Sequence, residues 1–225
     1  MNMYERQMKE RYAALHPAIQ KRFDFSTDNM VGVIGRGKME TIWTGKGLAI
    51  FVLKKLAKRS ILFPKTGENI PFEIHNYPYK DTLGREAHSL NRIFKFKDGE
   101  QRFDGTAIYS QVKDKIVEYL GLDHSMLFEM ELEALENGEI KFLSKKQFAF
   151  ILNLKIPVPS LLRGDIELLE WYEDETNLFW LDLKVKSKLL GPLFGFNGWF
   201  EVEYVDFRDK QLPEAFKPTK VQAKE

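Results

Sequence analysis

The 225-residue chain carries 34 basic and 33 acidic residues, so its net charge of +1 leaves no global field to steer nucleic acid or a strongly acidic partner. It has no cysteine, which excludes disulfides, thiolate metal sites, cysteine nucleophiles and iron–sulfur clusters. Hydrophobic residues make up 44% and aromatic residues 13%, with 18 Phe, enough for one sizeable core and suited to a curved sheet with a wide interior.

Met1 to Arg22 is charged throughout, and the longest apolar run, Leu48 to Leu53, is far short of a membrane span. A soluble, cytoplasmic protein is expected. No linker, repeat or low-complexity segment divides the chain. One domain over residues 1–210 is expected, followed by a flexible tail at 211–225 marked by Pro213, Pro218 and a run of Lys and Glu.

Tyr4 to Phe23 has helical spacing interrupted before Pro17, which predicts one broken helix or two short ones. Met30 to Trp43 reads as a strand whose glycines at 32, 35 and 37 imply a bend or a close backbone approach. Gly47 to Ile61 reads as a helix in which Leu48, Phe51, Val52, Lys55, Leu56 and Arg59 follow the 3–4 spacing, with Lys54, Lys55, Lys58 and Arg59 in its last turns.

From Pro71 the period switches to two. Strands are expected at 72–77, 86–96, 102–112 and 115–120, with Asp98-Gly99 and Lys113-Asp114 as turns. Met126 to Ala134 alternates apolar residues with Glu129, Glu131 and Glu133, and Asn137-Gly138 then turns the chain into Ile140 and Phe142. Further strands are expected at 148–154, 165–172, 178–186 and 194–206. The fold class is therefore α+β, mainly antiparallel β: a strongly curved sheet or barrel of about ten strands with two covering helices.

Several segments carry a family resemblance. Phe63-Pro-Lys-Thr-Gly-Glu-Asn-Ile-Pro-Phe72, Asn76-Tyr77, Asp81 and Gly84-Arg85-Glu86 are the first of them. Arg92-Ile-Phe-Lys-Phe96, Arg102-Phe-Asp104, Ile116 to Gly121 and Gly191 to Gly198 follow. Over roughly residues 30–205 the chain resembles a bacterial family catalogued as domain of unknown function 4166. The resemblance implies one domain boundary and no activity. In some relatives a similar domain is attached to a dehydrogenase-like or membrane portion, neither of which is present here.

The densest polar constellation is Glu86, His88 and Arg92 with Arg102 and Asp104. On a strand, Glu86, His88, Arg92, Phe94 and Phe96 share one face. These seven residues form the candidate ligand site, a polar floor in an apolar cavity where an Arg fork holds a head group. The bland counterpart is a structural ion-pair network, Glu86–Arg92 or Arg102–Asp104.

Binding of a lipid-like or other hydrophobic small molecule inside the sheet is the expected function. The alternatives are an enzyme using Glu86, His88 or Asp104 as acid or base, and a protein-interaction module. His75 and His88 on neighbouring strands, with Glu86, could be imagined around a metal, but two such His are usually incidental, and neither metal nor cofactor is expected. Nucleic acid is not an expected partner. The helix Gly47 to Ile61 is expected to pack on the sheet and offers a peripheral membrane contact as its second use.

Overall fold

Period-two alternation broken by turn residues folds the chain into a run of antiparallel strands. The computed structural model describes residues 1–152 and 154–225. The strands are β1 (Val31–Thr44), β2 (Gly67–Lys80), β3 (Glu86–Phe96), β4 (Gly99–Ser110), β5 (Lys115–Leu120) and β6 (Met126–Ala134). They continue as β7 (Ile140–Ile151), β8 (Leu154–Pro157), β9 (Asp165–Glu173), β10 (Leu178–Ser187) and β11 (Gly191–Asp206).

Each strand from β1 to β7 pairs with the next; β7 then pairs with β9, β9 with β10, β10 with β11, and β11 with β1. The result is a closed barrel of ten antiparallel strands. β8 is an eleventh strand that folds back on the far half of β7. The strand expected at 148–154 is thus the end of β7 plus the start of β8; its residue 153 lies outside the described residues.

The inward face of β11 is Phe194, Phe196 and Phe200, all fully buried, as the alternation predicts. Phe94 is the hub of this packing, with ring centroids 4.9 Å from Phe63, 5.2 Å from Phe72 and 5.1 Å from Phe196. Gly35 on β1 is what lets the walls come so close. A Cβ there would sit 2.4 Å from the Ile74 side chain and 2.6 Å from the Phe200 ring.

Both ends of the barrel are closed. At one end the N-terminal segment, α1 (Met3–Met8), a 3-10 turn (Lys9–Ala14) and α2 (Pro17–Phe23), lies across the mouth. Tyr4 meets Phe142 of β7 edge-on and Phe23 lies tilted against it, and Gln7 Nε2 donates to the Met130 carbonyl at 2.9 Å. At the opposite end α3 (Leu48–Ala57) covers the mouth with Ala49 and Leu53, and Phe63 follows as a plug against Phe94 and Phe194. The stripe read from the sequence is corrected here: Leu48 and Phe51 point outward and are 61% and 65% exposed. An apolar residue occurs on every side of this helix, so periodicity did not single out the buried face.

The expectation of a free tail is also corrected. Residues 207–225 run along the outside of the barrel, where Phe207 stacks on Tyr77 at 4.6 Å and Phe216 lies tilted against His75 at 4.8 Å. Arg85 Nη2 donates to the Gln222 carbonyl at 2.8 Å, and the Tyr119 hydroxyl to the Lys224 carbonyl at 3.1 Å. Pro, Lys and Glu gave the segment its frayed look, while Leu212 and Phe216 hold it down.

No helix among the described residues is long and apolar enough to cross a membrane.

Candidate functional site

The seven candidate residues separate into three places. Arg92 faces inward and lines a cavity of about 40 Å³ in the middle of the barrel. Phe94 and Phe96 share that face but are packed against Phe63 and their neighbours, and neither lines that cavity. Glu86 sits at the rim and accepts the Thr27 backbone N–H at 2.7 Å.

His88 is wholly buried between the N-terminal segment and the barrel, its ring 4.5 Å from Phe25 and 5.8 Å from Tyr4. Its Nε2 is 3.8 Å from Glu86 Oε1, beyond hydrogen-bond reach. Burial lowers its protonation point despite that carboxylate, so the ring is held neutral.

Arg102 and Asp104 belong elsewhere. On β4 the inward residues are Phe103, Gly105 and Ala107, and Asp104 pairs across β3 with Asn91 on the outer face. Arg102 Nε donates to Asp104 Oδ2 at 2.8 Å and Asn91 Nδ2 to Oδ1 at 2.9 Å. Arg102 also donates to the Ala215 carbonyl at 2.8 Å, and its guanidinium lies over the Phe216 ring. This pair fastens the tail to the wall and does not reach the interior. His75 is on the outer face too, with the Tyr77 hydroxyl 3.1 Å from Nδ1, so it cannot meet His88 around a metal. Among the described residues no three His, Asp or Glu come together in a metal-holding group.

The interior instead gathers charges that the sequence reading passed over. Arg22 reaches in from α2, Glu118 from β5 and Glu170 from β9, joining Arg92 around the cavity. Arg22 Nη2 donates to Asn76 Oδ1 at 2.7 Å, and its Nε is 3.2 Å from Glu170 Oε1 in an ion pair without hydrogen-bond alignment. The Arg92 guanidinium lies 4.7 Å from the Phe103 ring centroid.

Arg22 Nη1, Arg92 Nη1, Glu118 Oε1 and Glu170 Oε1 are buried without a hydrogen-bond partner in the protein. Gly105 makes the room for Glu118, since a Cβ there would stand 2.6 Å from its Oε1. Burial raises the protonation points of Glu118 and Glu170, and the two guanidiniums only partly offset this for Glu170. Burial also lowers that of Arg92.

The signal for these residues was present. Glu118 shares the inward stripe of Ile116 and Leu120, and Glu170 that of Ile166 and Leu168, so each is a lone acid on an apolar face. What the alternation did not say is that three strands and a helix would bring them together.

A second opening lies in the wall. Pairing between β7 and β9 stops at Leu143 and Glu167, and an open cleft of about 520 Å³ begins beyond it. Lys145, Lys146, Arg163, Lys184 and Lys186 surround this cleft. Ile166 lines both the cleft and the central cavity and is all that the two linings share.

The family profile described as Domain of unknown function (DUF4166) matches residues 15–200. "Uncharacterized protein YndH" of Bacillus subtilis (strain 168) is 31% identical over 195 residues, which is 85% of this chain and 93% of that protein. No solved structure matches.

Proposed function

The chain belongs to the DUF4166 family, and for it we propose the binding of a small, largely apolar molecule inside the barrel, its polar group held by Arg22, Arg92, Glu118 and Glu170. One observation supports the reading above all: Arg22 Nη1, Arg92 Nη1 and Glu118 Oε1 are buried without a protein partner, and their residues line one cavity together with Glu170. Leaving such groups unpaired costs about 1–3 kcal/mol each, more when they are charged, so a fold retains them at a cost that a ligand would offset. Phe103, Met130, Phe142 and Leu183 offer the apolar wall for the remainder of the molecule.

A cavity of about 40 Å³ accepts on the order of three water-sized groups. A lipid-sized ligand therefore needs more room, either by withdrawal of the N-terminal segment that carries Tyr4 and Arg22 or by rotation of Ile166 toward the side cleft. A cytoplasmic site of action is part of the same proposal, in keeping with a cysteine-free chain.

Native mass spectrometry and solvent extraction of gently purified protein test the reading. A retained molecule of defined mass that is lost in Arg92→Met is expected. Bare protein that also fails to bind anilinonaphthalene sulfonate in competition with fatty acids would sink it.

The raised protonation points of Glu118 and Glu170 beside that cavity favour a second reading, general acid–base catalysis on the bound molecule. On that reading Glu118→Gln abolishes turnover of the extracted molecule, a loss greater than any it causes in retention. Neither Asp104, outside the barrel, nor His88, sealed beneath Tyr4 and Phe25, is placed for that role.

A further inference from the structure

The end of the barrel covered by α3 has a composition unlike the rest of the chain. Three segments meet there: residues 45–59 with α3, the 158–164 loop before β9, and residues 186–193 around the β10–β11 turn. Gly45 N–H donates to the Leu193 carbonyl at 2.7 Å, which holds the first against the third. Leu189 N–H donates to the Leu161 carbonyl at 3.2 Å, which holds the second against the third.

These segments contain Lys46, Lys54, Lys55, Lys58, Arg59, Arg163, Lys186 and Lys188 and not one Asp or Glu, in a chain whose charges as a whole nearly cancel. Arg59 is paired with Asp123, and Arg163 lies 3.9 Å from Asp165. Among the described residues the six lysines make no ion pair. The same segments present Leu48, Phe51, Leu161, Leu162 and Leu189, each more than half exposed. On α3, Leu48, Phe51, Lys55 and Lys58 follow one another along the outer stripe, opposite the buried Ala49 and Leu53.

Exposed apolar tips among lysines that make no ion pair match the surface of an anionic bilayer, where leucine and phenylalanine enter the acyl boundary and lysines meet the head groups. A nucleic acid or other hydrophilic polyanion would use the lysines but give Leu48, Phe51 and the three loop leucines no apolar partner. We propose that this end of the barrel docks on membranes containing anionic lipid, with α3 lying in the interface and the 161–162 and 189 tips inserted beside it. The proposal stands independently of what the interior binds.

Co-sedimentation with vesicles tests it. Binding to phosphatidylcholine vesicles containing 30% phosphatidylserine is expected, at least tenfold stronger than to phosphatidylcholine alone and weakened by raising salt from 50 to 500 mM. Phe51→Ser with Leu161→Ser and Leu162→Ser should lower it at least tenfold, as should Lys54→Gln with Lys55→Gln and Lys58→Gln. All six positions are exposed, and unchanged thermal melts show that the fold survives.

Because the chain has no cysteine, Phe51→Cys takes a single environment-sensitive fluorophore. Its emission should shift to the blue on anionic vesicles only. Equal binding to both vesicle types, no binding, or an unshifted probe overturns the proposal. So does tighter binding to polyglutamate or duplex DNA that the serine variants leave intact, which would assign the patch to a polyanion.

Discussion

Arg22 is the residue on which the interior charges turn, because it comes from α2 and meets partners on two strands, Asn76 and Glu170. Removing one member of a buried pair strands the other, at a cost of about 3–5 kcal/mol, whereas replacing both by apolar groups is often neutral or better. Arg22→Met should therefore destabilise the protein by about that much in urea titrations. Arg22→Met with Glu170→Met should recover most of the loss.

A second prediction concerns His124, buried with Nε2 3.1 Å from Thr106 Oγ1 and its ring stacked on Tyr119 at 4.8 Å. Burial, reinforced by the nearby Arg85, pushes its protonation point down to about 4. The folded state thus prefers the neutral ring. That contribution is complete above the unfolded value near 6.5 and is lost as pH falls toward 4, on the order of 3 kcal/mol in all. His88 is shifted in the same direction by the same cause. His124→Asn, which also tolerates the positive φ of 48° at this position, should flatten the acid side of the stability–pH curve between 6.5 and 4.

Among elements, the strands were the most legible. β3, β5 and β6 have the bounds that alternation and turn residues assign them, because one buried face forces every second residue to be apolar. Arg92 was legible for the same reason, since it interrupts a stripe otherwise made of Leu90 and Phe94. Arg22, Glu118 and Glu170 were not, because each is one polar residue in its own segment and only the closed topology makes them neighbours. Asp104 shares its strand face with Ile108, which is buried outside the barrel in a cluster with Val117 and Leu127, so alternation alone did not tell the inner face from the outer.

The tail was read from composition, and its anchoring apolar residues are few. Deleting residues 211–225 should expose Tyr77 and Tyr79 and release Arg102 and Arg85 from their carbonyl partners. The expected result is a lower melting temperature and greater dye binding by an otherwise folded barrel. An unchanged melt would show that the tail contributes nothing to the fold. At the opposite end, Phe63→Ala removes the plug at the centre of the Phe cluster, and a loss of about 3–5 kcal/mol is expected from calorimetry or urea unfolding.

For the whole molecule, the seam between β1 and β11 matters most. It runs from the pair Val31–Asp206 to the pair Thr44–Phe194, so the barrel is completed by uniting residues nearly as far apart as the chain allows. During synthesis the edge of β1 has to wait, open, until the last strand has left the ribosome. Until then the inside of the barrel is wet, and Arg22, Arg92, Glu118 and Glu170 keep their hydration. Closing the seam is expected to strip water from all four together, which predicts that this step limits the folding rate. Stopped-flow refolding should then be faster in the Arg22→Met and Glu170→Met double variant than in the natural chain, since dehydrating two methionines is downhill where dehydrating two ions is not.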